Sequence, residues 1–173
     1  MADGGVMQQQ EFSPDTDDPR RLRDALGRFA TGVTVVTIRS DTGPMGFVAN
    51  SFAAVSLDPA LVLWSPARAS RRFAHFARAR DFAVHVLPRD ALQWVARFGR
   101  GGAGFDGLEH GHNDQGVPVL PDVLARFDCR QHATHDGGDH LIILGRVLRA
   151  QCADGAPLIF SQGQYGGFDA GDA

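Results

Sequence analysis

The stretch between residues 33 and 64 leaves this chain little choice but β-structure. Residues 33–39 are dense in β-branched side chains, which suit a pleated, buried strand. Asp41-Thr42-Gly43-Pro44 is a turn signal, so a hairpin partner should follow at once. That partner reads as one strand from Gly46 to Asp58-Pro59, and Leu61-Val62-Leu63-Trp64 is a third, short and wholly apolar. Midway through the second strand the pattern breaks into Ala49-Asn50-Ser51-Phe52. A strand that only filled a core would carry Val, Ile or Leu there. Small residues let a flat ligand lie against the backbone, and Asn and Ser offer both donors and acceptors. An edge strand turning polar residues to water would spell the same letters, so both readings stand at this point.

The rest of the chain supplies more strands than helices. Asp18 caps a helix with Pro19 in its first turn, and Leu22, Ala25, Leu26 and Phe29 form its apolar face. A short amphipathic helix is expected over 71–80 through Phe73, Phe76 and Ala77. A second is expected over 89–99, buried through Leu92, Val95 and Ala96. Phe82, Val84 and Val86 alternate in a fourth strand; 124–132 and 140–150 form two more around the turn His135-Asp136-Gly137-Gly138-Asp139. Leu158-Ile159-Phe160 opens a last strand. Residues 99–121 are glycine-rich and polar, a loop long enough to be functional or mobile. This inventory predicts a mainly β, antiparallel, barrel-like domain with a few accessory helices. The expected organisation is a disordered leader over 1–18, one domain over 19–168 and a flexible tail over 169–173.

Composition removes several function classes. The net charge of −3 gives no electrostatic case for nucleic acid or an anionic membrane. All 17 basic residues are arginine, which excludes a lysine Schiff base and a Walker lysine. No apolar run reaches membrane-spanning length and no secretory signal is visible, so the cytoplasm is the expected location. Cys129 and Cys152 form no CxxC pair and read as buried strand residues.

Motif by motif, few residues stand out for chemistry. His110, His112, His132 and His135 lack a matching carboxylate or cysteine at zinc spacing and read as solvent-exposed loop residues, so no metal is expected. His140 differs: it opens an apolar strand beside Asp139, which can hold one tautomer and leave the other nitrogen for a ligand, or it merely caps the turn. GxGxxG is absent, as is GxSxG. The segment Ala67-Arg68-Ala69-Ser70-Arg71-Arg72 could gather an anion through a Ser70-capped helix start and guanidinium groups, or form a solvated basic face.

Taken in order, these pieces resemble the flavin reductase family, the short-chain reductase components of two-component flavin-dependent monooxygenases. The resemblance rests on Ala30-Thr31-Gly32-Val33-Thr34-Val35-Val36-Thr37, Gly46-Phe47-Val48-Ala49-Asn50-Ser51-Phe52, Val55-Ser56-Leu57-Asp58-Pro59, Arg97-Phe98, Gly138-Asp139-His140 and Pro157-Leu158-Ile159-Phe160. It implies an FMN-binding split β-barrel, Greek-key-like, and a homodimer with flavin near the subunit interface. It also implies hydride transfer from NADH or NADPH to FMN or FAD, with the reduced flavin passed to a partner monooxygenase. Asn50, Ser51, Phe52 and Ala53 would then line the flavin ring and ribityl chain. Ala67, Arg68, Ala69, Ser70 and Arg71 would hold the phosphate, with Phe105 bordering the flavin. Asp139 and His140 would lie near the nicotinamide, flanked by Phe160, Ser161, Gln162, Gly163 and Tyr165. Two departures are visible: Asp58-Pro59-Ala60 replaces the family's Asp-Pro-Pro, and arginine replaces lysine near the phosphate. On the same barrel, an FMN-retaining electron carrier is the alternative; a metal-dependent enzyme using His110, His112 and His135 is another.

Overall fold

Strands β2 (Thr34–Ser40) and β3 (Gly43–Ala49) form the hairpin that the turn signal demands. In this computed structural model, which describes residues 9–99 and 104–169, β3 does not run on to Pro59. The chain breaks at Asn50-Ser51-Phe52, and β4 (Ala53–Leu57) begins a separate strand paired with β5 (Ala60–Trp64). With β6 (Asp81–Val86), β9 (Ala125–Gly137) and β10 (His140–Cys152) they build one antiparallel sheet in the order β3-β2-β6-β9-β10-β5-β4. β3 and β4 are thus its two opposite edges. Yet Ala49 and Ala53 are only four residues apart, a reach of about 14 Å at most. The sheet must therefore curl until its edges meet at that crossing, while no ladder joins them among the described residues. This is a split barrel, closed by a three-residue link.

The barrel interior is filled by Val36, Ile38, Trp64, Phe82 and Ile143 from the strands and by Phe76 from the segment between β5 and β6. Central strands β2 and β6 are buried on both faces, which is why residues 33–39 carry no simple alternation. Their outer face packs on α3 (Leu92–Gly99) through Val35, Leu87, Ala91, Trp94 and Phe98. The buried face of α3 is therefore Trp94 and Phe98; Leu92 is exposed, contrary to the expected Leu92-Val95-Ala96 stripe. Gly46 in β3 passes so close over the Phe98 ring that a Cβ there would overlap it. A small sheet of β1 (Thr31–Gly32), β11 (Leu158–Ser161) and β12 (Gln164–Gly167) is tied to the barrel by Val33 and Leu87 backbone bonds.

Helix α1 (Pro19–Leu26) starts as the sequence predicts, with the Asp18 carboxylate accepting from the Arg20 amide at 2.9 Å. It buries none of its residues, so the Leu22-Leu26-Phe29 face does not dock into the core. Part of the expected leader packs beside it: Phe12 lies under the Arg21 guanidinium, and the Ser13 amide donates to Asp17. Residues 1–8 and 170–173, the remainder of the expected leader and nearly all of the tail, lie outside the described residues. Among the described residues no helix is long and apolar enough to cross a membrane.

The loop after α3 is pinned rather than open. Asn113 Nδ2 donates to the buried Asp128 carboxylate, while its Oδ1 accepts from the Gln115 and Val117 amides. Two short strands, β7 (Gly111–His112) and β8 (Pro118–Val119), pair within it. His85 closes the contact from the sheet. Its Nδ1–H donates to the Val35 carbonyl at 3.0 Å, and Nε2 accepts from the Leu120 amide at 3.2 Å. Both ring nitrogens are used by the neutral form, and burial pushes the His85 pKa down from 6.5 to about 4. In that window the unfolded chain binds the proton and the folded chain does not, so stability falls as pH drops from 6.5 to 4 and then levels. The displacement amounts to about 3 kcal/mol. Urea midpoints across that range should show this loss, and His85→Gln should flatten the dependence; an unchanged profile in the variant would exclude His85 as its source.

Cys129 sits in the barrel wall, where burial pushes its thiol up to about 12. Cys152, expected to be buried, is exposed at the end of β10.

Candidate active site

The crossing that closes the barrel is also where the site begins. Asn50 is exposed and lines two adjoining cavities, one of about 610 Å³ and one of about 270 Å³. The smaller has an apolar floor of Val33 and Val48, and its wall is the Phe160–Tyr165 ring pair, 5.1 Å between centroids. An open shelf with apolar floor, aromatic wall and one amide is shaped for a planar heteroaromatic ring. Ala53, at the mouth of β4, is exposed and adds no bulk.

Ser51 is not available in the way its position suggests. Its Oγ accepts from the Ser65 amide at 2.9 Å and donates to the Ser65 carbonyl at 3.3 Å. The hydroxyl thus staples the crossing to the end of β5, immediately before residues 67–71. Phe52 is likewise given to the fold, stacked on Phe127 at 5.6 Å and packed against the barrel core. Only the backbone of these two residues remains for a ligand.

The 67–71 turn lies next along the rim, and its arginines have divided duties. Arg68 donates to the Gly138 carbonyl at 3.0 Å and to Asp136 Oδ1 at 2.6 Å, bracing the β9–β10 turn. Arg72 points inward. Its Nη1 donates to the carbonyls of Gly46 and Phe98 at 2.6 and 2.7 Å, with the guanidinium over the Phe47 ring. That leaves Arg71 as the exposed guanidinium of the turn with no ion-pair or hydrogen-bond partner among the described residues. Ser70 Oγ accepts from the Arg72 amide at 3.2 Å and keeps its own proton to donate. The helix that follows, α2 (Phe73–Arg78), starts later than the sequence suggests and has no side-chain cap. The expected Ser70-capped helix start is therefore absent, and any anion contact here comes from the turn with Ala67, Ala69, Ser70 and Arg71.

His140 stands beside that turn. A backbone bridge joins it to Ala67, the Arg68 amide donates to the Asp139 carbonyl, and the Leu141 amide donates to Pro66. His140 Nδ1 lies 2.7 Å from Asp139 Oδ1, and this contact holds the Asp139 carboxyl below the usual carboxylate range. The ring is thereby fixed with Nδ1 toward Asp139 and Nε2 free to meet a ligand. His132 lies in β9, within the strand expected over 124–132, and His135 lies in the exposed end of the same strand instead of the expected turn. Among the described residues, no three His, Cys, Asp or Glu side chains come together as a metal site.

The residues expected around the nicotinamide are split between two places. Phe160, Gln162 and Gly163 line the larger cavity, and Tyr165 the smaller; neither cavity includes Asp139 or His140. Ser161 Oγ donates to the Gly27 carbonyl at 3.3 Å. Phe105 does not front either cavity: its ring is 5% exposed in the second core, 5.1 Å from Phe98 and 4.7 Å from His110. Residues not foreseen as lining are Arg23, Arg28, Phe29 and Thr31. Four arginines within nine residues, 20 to 28, are the signal in the sequence, overlaid there by an apolar helical period that speaks for packing.

A split antiparallel barrel with an open apolar shelf and a turn carrying an exposed guanidinium suits the class of flavin-nucleotide-binding proteins. Comparison with known proteins narrows it. Residues 26–169 match the flavin reductase like domain. The chain is 55% identical over 157 residues to the FMN reductase (NADH) SmoA of Agrobacterium fabrum, covering 91% of this chain and 90% of that protein. It is 43% identical over 154 residues to the flavin-dependent monooxygenase reductase subunit HsaB of Rhodococcus jostii, covering 88% and 79%. The Streptomyces globisporus NADH:FAD oxidoreductase SgcE6, solved with NAD and FAD fragments, superposes with a TM-score of 0.85 at 32% identity, covering 93% of this chain and 98% of that one. The chain belongs to the flavin reductase family.

Proposed function

We propose that this protein takes a hydride from a reduced nicotinamide nucleotide, delivers it to FMN or FAD, and releases the reduced flavin to a partner monooxygenase. The observation that carries the reading is the continuous rim: shelf at Asn50, Ser51 stapled to Ser65, then the 67–71 turn bridged to His140. The residues present fit a flavin, because the shelf is apolar beneath and the turn beside it offers a hydroxyl, an exposed guanidinium and backbone amides. When bound, the two nucleotides supply the redox chemistry themselves, nicotinamide C4 giving and flavin N5 taking the hydride. The protein's part is placement. Asn50 and the backbone of Ser51, Phe52 and Ala53 border the ring, while Ser70 and Arg71 hold the phosphate. The Phe160–Tyr165 pair limits how far a second ring can slide.

The test is NADH consumption with and without added FMN. Oxidation should depend on added flavin and continue past one equivalent; a yellow protein that leaves excess FMN oxidised would indicate a bound-flavin carrier instead. His140 is assigned to nicotinamide positioning through Nε2. His140→Ala should therefore raise the KM for NADH about tenfold and leave turnover at saturating NADH nearly intact. A fall of several decades in that turnover would make His140 a proton donor instead.

A homodimer suits the exposed apolar side chains Val55 and Leu57 on β4 and Leu148 on β10, which a second copy would cover. The free thiols of Cys129 and Cys152 suit a reducing cytoplasm.

A further inference from the structure

The larger cavity carries a feature that hydride transfer alone does not require. Its outer wall is the end of α1, from which Arg23 and Arg28 face the same space as Phe29, Thr31, Asn50 and Phe160. Neither arginine is paired with a carboxylate among the described residues, whereas Arg21 on the same helix pairs with Asp17. Aromatic rings and two guanidiniums around about 610 Å³ make a site for a nucleotide with more than one phosphate charge.

The helix dipole works against an anion here, since α1 presents its C-terminal, negative end, and Asp24 lines the same wall. Attraction must therefore come from the guanidiniums. The backbone between them is tied down. The Gly27 carbonyl, which closes α1, accepts from the Gln162 amide at 2.9 Å and from Ser161 Oγ at 3.3 Å. The β11–β12 turn thus clamps the helix end over the cavity. Gln162 and Gly163 both take positive φ, 49° and 79°, as a two-residue hairpin turn requires.

Building on the reductase reading, we infer that Arg23 and Arg28 grip the diphosphate of the nicotinamide dinucleotide and set the enzyme's preference for a full dinucleotide donor. On that reading the flavin phosphate has its own place at Ser70 and Arg71, neither of which lines this cavity. A second cationic wall across the shelf belongs to the other nucleotide. The remaining source of the same chemistry is the adenylate half of FAD.

The experiment compares wild type with an R23Q/R28Q double variant and an R23K/R28K control, with NADH and reduced nicotinamide mononucleotide as donors and FMN and FAD as acceptors. The glutamine variant should raise the KM for NADH by on the order of tenfold to a hundredfold with kcat and the KM for FMN unchanged. The lysine control should recover much of the loss. Reduced nicotinamide mononucleotide, lacking the diphosphate and adenosine, should be used about equally by wild type and variant. The wild-type KM for NADH should rise with salt more steeply than the variant's. A rise confined to the KM for FAD would give the site to flavin adenylate and overturn the assignment, as would an unchanged KM for NADH in a variant that turns over. A wild-type protein that does not oxidise NADH with either flavin would overturn the reductase reading and this inference with it.

Discussion

Replacing Arg72 with methionine should cost about 3 kcal/mol of stability, a large fraction of the roughly 5–15 kcal/mol by which a domain is stable. The side chain is 8% exposed, and among the described residues its charge faces no carboxylate, only two carbonyls and the Phe47 ring. Burial pushes its pKa below the ordinary arginine value, though a guanidinium remains charged at any physiological pH. Methionine would relieve that desolvation but leave the Gly46 and Phe98 carbonyls without their donor, and an unsatisfied buried acceptor costs about 1–3 kcal/mol. Arg72 also joins three elements: β3 through Gly46, α3 through Phe98, and the 67–71 turn through its own backbone. The thermal midpoint should fall by roughly 10 °C. Lysine, which keeps the charge but reaches fewer acceptors, should lose part of this. If Arg72→Met melts within 2 °C of wild type, the guanidinium is not a structural tie.

The second large effect is functional. Asn50→Trp should lower flavin-dependent NADH turnover, read as kcat/KM for FMN, by about a hundredfold or more. An indole at this position would fill the shelf shared by both cavities. The Asn50 side chain makes no hydrogen bond among the described residues and is exposed, so the thermal midpoint should hardly move. Activity lost at constant stability separates a blocked site from a damaged fold. Full activity in Asn50→Trp would mean the flavin lies elsewhere, and the site would have to be redrawn.

The roles of particular arginines and serines were hidden from the sequence for a common reason. Arg68, Arg71 and Arg72 stand within five residues in one basic segment, yet one braces a distant turn, one faces solvent and one is buried. Their partners, Asp136 for Arg68 and Gly46 and Phe98 for Arg72, are 26 to 68 residues away along the chain. No local period encodes such a choice. Ser51 and Ser65 are similar: the motif marks the position, but only proximity shows that the hydroxyl is spent on the backbone. Phe105 fell in the right loop for an aromatic border, and the core took its ring.

By itself the sequence determined that this chain forms mostly antiparallel strands, where its first helix begins, and which family it resembles. β-branched density, turn residues, the Asp18 cap and the ordered motifs are all local, and local preference acts before the chain meets itself. Tertiary structure alone decided that residues 46–57 are two strands at opposite edges of one sheet. It also left α1 over a cavity instead of on the core. Those outcomes follow from where a curling sheet closes and which surfaces remain uncovered, properties of the whole barrel that no short window of residues contains.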